Sequence, residues 1–167
     1  MDVRDRIEQW SRRPRVERLA RLAATPAELT AKLSGVSAAV LARRPAPAAW
    51  APVEVICHLR DLEESFCERL DLILTSDEPC FPTTNPNRWA EERQYARNDA
   101  HAAARAFGRR REQTLQLLHH VRGDDWSRAG RQLDSRGRRT LDDFVTLMAW
   151  HDDNHLEQLS RALEGRE

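Results

Sequence analysis

The sequence has a single lysine, only three cysteines and no apolar run approaching the roughly 18–20 residues of a membrane span. Met1-Asp2-Val3-Arg4-Asp5-Arg6 lacks the apolar centre of a signal peptide. These absences lead us to expect a cytoplasmic protein with no membrane partner. Cys57, Cys67 and Cys80 are odd in number and form no Cys-x-x-Cys, which argues against a disulfide framework and a cysteine zinc site. Cys57 and Cys67 read as small, half-buried apolar residues, and Cys80 as exposed in a proline-rich loop. Net charge is also missing: 27 basic and 27 acidic side chains cancel, so no field recruits nucleic acid. The runs Arg109-Arg110-Arg111 and Arg136-Gly137-Arg138-Arg139 read as a solvated helix face and loop.

Few β-branched runs and no alternating strands are present, whereas several long segments carry a helical period, so the class is all-α. Thr25-Pro26-Ala27-Glu28 has the form of a capping box with proline at the first helical position, opening or reopening a helix to about Ser34. The stretch before it, with Val16, Leu19 and Leu22, is helical in pattern. Residues 1–24 thus read as an N-terminal helical extension, in which Ile7, Trp10 and Val16 need partners, and residues 25–167 as the main domain. Trp50-Ala51-Pro52 starts a second helix reaching about Leu74. Asp99 to Val121 forms a third, with Ala103, Phe107, Thr114, Leu118 and Val121 inward. Thr140-Leu141-Asp142-Asp143 caps the last. The segment Thr75–Asn98 reads as a packed loop. Its length permits a long crossover between the second and third helices, leaving them parallel in a four-helix bundle. Gly123 to Arg139 reads as another loop.

Chemistry concentrates on the last helix. Leu141, Phe144, Met148, Leu159 and Ala162 share one face, and His151 and His155 fall inside that stripe, where unpartnered imidazoles cost on the order of 1–3 kcal/mol each. An i, i+4 pair has its Cβ atoms about 5–6 Å apart, so both rings can converge on one point. A third histidine, His58, lies at the edge of the apolar stripe of the second helix. Three protein ligands with one open position is the usual form of a catalytic zinc site. The spacing alone serves a polar core network or a solvated face as well. His101, His119 and His120 have no convergent partners and read as surface residues.

The segment from Arg43 to Glu63, RRPAPAAWAPVEVICHLRDLE, together with Asp125-Trp126 and Trp150-His151-Asp152-Asp153-Asn154-His155, resembles the DinB-like (DinB/YfiT) metal-binding four-helix-bundle family. The match covers roughly Pro26 to Leu163. Ala51 departs from it, standing where that family often has a serine cap. The resemblance implies an up-down-down-up bundle, a homodimer, and a divalent metal, zinc or nickel in its place, held by His58, His151 and His155. It also implies a small-molecule substrate. Characterised relatives include mycothiol-dependent isomerases and bacillithiol S-transferases, so a metal-dependent S-transferase using a low-molecular-weight thiol on small electrophiles is expected. A non-catalytic metal- or ligand-binding bundle with a structural or stress-response role is the alternative.

Supporting residues can be assigned in the same way. Asp61, one turn beyond His58, and Asp152 or Asn154 are candidates to orient an imidazole, although the helical stepping turns Asp152 toward solvent. Arg111 falls near the inward face of the third helix, where it can meet an anionic cofactor or substrate, or form an interhelix salt bridge. Trp89 and Tyr95 can roof a substrate pocket or anchor the long loop. The last helix reads His-Asp-Asp-Asn-His, without the glutamate of a His-Glu-x-x-His metalloprotease, so peptide hydrolysis is disfavoured.

Overall fold

A computed structural model of the chain describes residues 2–133 and 137–166. Helix α1 (Val3–Ser11) leads into α2 (Arg15–Leu33) and the short α3 (Ala38–Ala42). Helix α4 (Pro52–Thr75) is followed by strand β1 (Cys80–Phe81) and α5 (Pro86–Glu92), then α6 (Ala100–His120), strands β2 (Ala129–Gln132) and β3 (Arg138–Thr140), and α7 (Leu141–Leu163). The long helices α2, α4, α6 and α7 form the expected up-down-down-up bundle, with α4 packed on α6 and α7, and α2 on the same two. Among the described residues no helix is long and apolar enough to cross a membrane.

Local chemistry sets the helix starts. Asp99 accepts the Ala102 N–H at 2.5 Å and Asn85 that of Arg88 at 3.2 Å. Thr140 accepts from the Asp143 N–H while Asp143 accepts from the Thr140 N–H, at 3.1 and 2.8 Å. Ala51 has no capping side chain. Half a capping box survives there, because Glu54 accepts the Ala51 N–H at 2.8 Å and is itself held by Arg44 Nε at 2.8 Å.

Three sequence expectations need correction. No helix starts at Thr25: α2 runs unbroken from Arg15 to Leu33, so the 24/25 boundary falls inside it. Glu28 pairs with Arg21 at 2.6 Å instead of closing a capping box. Pro26 has no N–H to give the Leu22 carbonyl, and Arg111 donates to that carbonyl instead at 2.9 Å. The two long loops also carry structure. They contain α5, 3-10 turns at Tyr95–Arg97 and Gly123–Ser127, and a sheet in which β2 pairs parallel with β1 and antiparallel with β3. Strands of two to four residues are too short for alternation to register. Gly130 lets the Phe81 ring close onto β2, since a Cβ there would lie 2.3 Å from two ring carbons. Within the N-terminal stretch Trp10 finds a buried position, whereas Val16 is 71% exposed.

The apolar core is divided. One cluster includes Leu29, Ile56, Leu59, Phe107 and Leu159, and the other Leu22, Phe66, Leu118, Phe144 and Met148. Between them, at matching heights on all four long helices, lie Thr25, Glu63, Arg111, Thr114 and Asp152, all buried. The three histidines singled out above border this polar layer.

Candidate metal centre

His58 is carried on the second turn of α4, and His151 and His155 on successive turns of α7. His58 Nε2 lies 3.1 Å from both His151 Nε2 and His155 Nε2. Two ligand nitrogens about 2.0–2.1 Å from one tetrahedral ion stand roughly 3.3 Å apart, so the spacing suits a shared cation. A hydrogen-bonded account is poorer. A ring nitrogen has one proton or one lone pair to offer, and His58 Nε2 faces two partners. The rings of His151 and His155 are 4.3 Å apart, and Trp50 stands 5.0 Å from the His58 ring, covering one side of it.

All three imidazoles are held neutral. Burial, then the neighbouring His155, pushes His58 down to about 3. Burial, then the proximity of His155 and His58, pushes His151 well below its usual value, and burial lowers His155 against the opposing pull of Gln158. Neutral imidazole is the ligating form. Gln158 fixes the tautomer as well: His155 Nδ1 donates to its Oε1 at 2.7 Å, which leaves Nε2 unprotonated and aimed at the shared point. His58 Nδ1 is buried with no partner among the described residues.

The fold that carries these residues recurs in known proteins. The DinB superfamily model matches residues 21–159. The chain belongs to the DinB superfamily. Among solved structures it is similar to YfiT from Bacillus subtilis, described as "a probable metal-dependent hydrolase with an unusual four-helix bundle topology". The likeness has 19% identity and a TM-score of 0.83, and covers 89% of this chain and 85% of that one. No curated protein matches the chain. The DinB bundle accounts for the two-rod origin of the triad, because α7 packs directly against α4.

The remaining site candidates stand apart from the triad. Asp61 does not orient an imidazole: its carboxylate accepts from Arg60 Nε at 2.7 Å, Arg93 at 2.6 Å and the Tyr95 hydroxyl at 2.7 Å. Burial pushes that carboxyl upward, and the three donors outweigh it and hold it below the usual range. Tyr95 is fully buried and so anchors the crossover on α4, while Trp89 lies under the Arg93 guanidinium at 4.5 Å. Arg111 is spent within the bundle, donating to Asp152 Oδ2 at 2.5 Å, Asp152 Oδ1 at 3.0 Å and Glu63 Oε2 at 2.7 Å. It is the one member of its arginine run that is buried. Asp152 is a correction: expected in solvent, it is 1% exposed and also accepts from Thr25 at 2.6 Å. The stepping argument assumes one buried face, and α7 is covered by α1, α2 and α4 together. Asn154 is half-buried, and His101, His119 and His120 are exposed. Cys57 is fully buried, Cys67 half-buried and Cys80 exposed, and burial pushes the Cys57 thiol up to about 11, so it supplies no thiolate beside His58. Arg136 lies outside the described residues.

Gln158 is the functional residue that sequence reasoning missed. Its signal was the i+3 spacing from His155, which places it on the same helix face.

Proposed function

We propose that this chain is a divalent-metal-dependent enzyme that holds zinc, or nickel in its place, through His58, His151 and His155. In this reading it transfers a low-molecular-weight thiol, of the bacillithiol or mycothiol kind, to a small electrophile. The observation that carries the reading is the convergence of three neutral Nε2 atoms on one point. A cation there supplies Lewis acidity, lowering the pKa of a thiol or water that joins it.

The residues around the triad divide the remaining work. Gln158 holds His155 in its ligating tautomer, and Trp50 shields the His58 ring from water. No carboxylate near the triad is free to serve as a base among the described residues. Asp61 is held by Arg60, Arg93 and Tyr95, Asp152 by Arg111 and Thr25, and Glu54 by Arg44 and the Ala51 N–H. This favours a nucleophile that needs no protein base once it has lost its proton. The description of YfiT as a metal-dependent hydrolase supports the second reading, in which water takes the place of the thiol.

The test begins with metal content, measured by mass spectrometry on protein prepared without chelator or affinity tag, for the natural chain and for His155→Ala. Near-stoichiometric metal in the first and its loss in the second are expected, and equal occupancy in the two would overturn the assignment. Incubating the loaded protein with bacillithiol or mycothiol and a chlorinated aromatic, and separately with an activated ester, then separates thiol transfer from hydrolysis. Turnover of neither favours the non-catalytic alternative.

A further inference from the structure

Helix α7 continues past the triad along the same face, with Gln158 at i+3 and Ala162 at i+7 from His155. The turn preceding α4 lies across that face. Between them is a cavity of about 250 Å3 whose apolar walls include Ala49, Trp50 and Ala162 and whose polar groups are Gln158, Arg161 and Arg166. Its volume falls just under the roughly 300–1,000 Å3 of drug-sized sites and so suits a smaller molecule. Two of its residues are shared with the triad, since Trp50 covers His58 and Gln158 holds His155.

Charge at the far end of this cavity is unbalanced. Arg166 gives its guanidinium to Glu164, with Nε at 2.8 Å. Arg43 lies against the same helix end, for a Cβ on Gly165 would stand 3.0 Å from one of its terminal nitrogens. Arg161 lines the cavity with no ion pair or side-chain hydrogen bond among the described residues. Among the described residues, three guanidiniums therefore meet one carboxylate. The negative end of the α7 dipole favours cations in its last turn, which accounts for their presence there and leaves the unpaired head of Arg161 beside an apolar-walled hollow.

We propose that this cavity binds the carboxylate end of a small organic anion, with Arg161 recognising the charge and the Trp50 side carrying the hydrocarbon body. Six residues of helix separate His155 from Arg161, about 9 Å at 1.5 Å per residue. A molecule anchored on Arg161 that extends along Trp50 and Gln158 reaches the side chains that cover His58 and hold His155. That orientation rests on the metal-centre reading above, whereas binding at Arg161 does not.

The probes are 3-phenylpropionate and its uncharged amide, 3-phenylpropionamide, titrated calorimetrically into the natural chain, with and without metal, and into R161Q and R166Q. The carboxylate should bind the natural chain about tenfold more tightly than the amide, as one charge-assisted contact allows. R161Q should bind both probes alike while keeping its melting temperature and metal content. R166Q should lose less, because Glu164 already occupies that guanidinium. Equal binding of the two probes to the natural chain, no binding of either, or a preference that survives in R161Q would overturn the proposal. So would a preference that disappears with the metal, which would place the carboxylate on the cation. A failure of the metal reading registers separately, in metal content, and leaves the probe comparison intact.

Discussion

Replacing Arg111 by methionine removes the cation from the polar layer that divides the core. Glu63 and Asp152, each 1% exposed, are left with the hydroxyls of Thr114 and Thr25 as their side-chain donors, at 2.6 Å in both cases. Taking one partner from a buried ion pair costs roughly 3–5 kcal/mol. For a domain of this size the loss corresponds to a fall in melting temperature of roughly 6–20 °C. Urea unfolding followed by tryptophan fluorescence, run on both proteins, measures this directly. A deficit under about 1 kcal/mol would refute the reasoning.

Further outcomes are expected elsewhere in the molecule. Gln158→Leu removes the acceptor that fixes the His155 tautomer and should weaken metal affinity by about 10–100-fold, read by competition with a chromogenic chelator, while far-ultraviolet circular dichroism stays unchanged. Tyr95 is the chain's single tyrosine, and burial followed by its bond to Asp61 raises its pKa above the usual value. Absorbance at the tyrosinate band should therefore stay flat through about pH 10, where a free phenol ionises, and rise only as the fold is lost at higher pH. Gly130→Ala drives a methyl group into the Phe81 ring and should cost about 1–3 kcal/mol, measured by thermal melting. A melting point equal to that of the natural chain would show that the sheet sits differently on the bundle.

The rods of the bundle were legible because their starts carry chemistry that works locally: Pro52 ahead of a long apolar stripe, Asp99 before α6, Thr140 with Asp143. The same local logic misread Thr25-Pro26, where a proline signature that normally opens a helix sits inside one and is completed from another part of the chain. Asp152 was misplaced because a stripe drawn on one helix cannot know how many neighbours that helix has. His151 and His155 could be paired from spacing and face, since an imidazole in an apolar stripe is conspicuous, whereas His58, at the edge of its stripe, joined them through the family resemblance. Gln158 and Arg161 could not, because glutamine and arginine on a half-exposed helix face are ordinary until the cavity beside them is known. The small sheet left no trace, its strands being shorter than the period that would reveal them.

Proline inside a helix ordinarily costs about 3 kcal/mol and a kink, yet α2 passes through Pro26 intact because a side chain 89 residues away reaches the abandoned carbonyl of Leu22. A peptide of residues 15–33 on its own has no such help and would fray at its middle. The first rod is therefore finished by the third, and its continuity depends on contact with α6 rather than on its own segment.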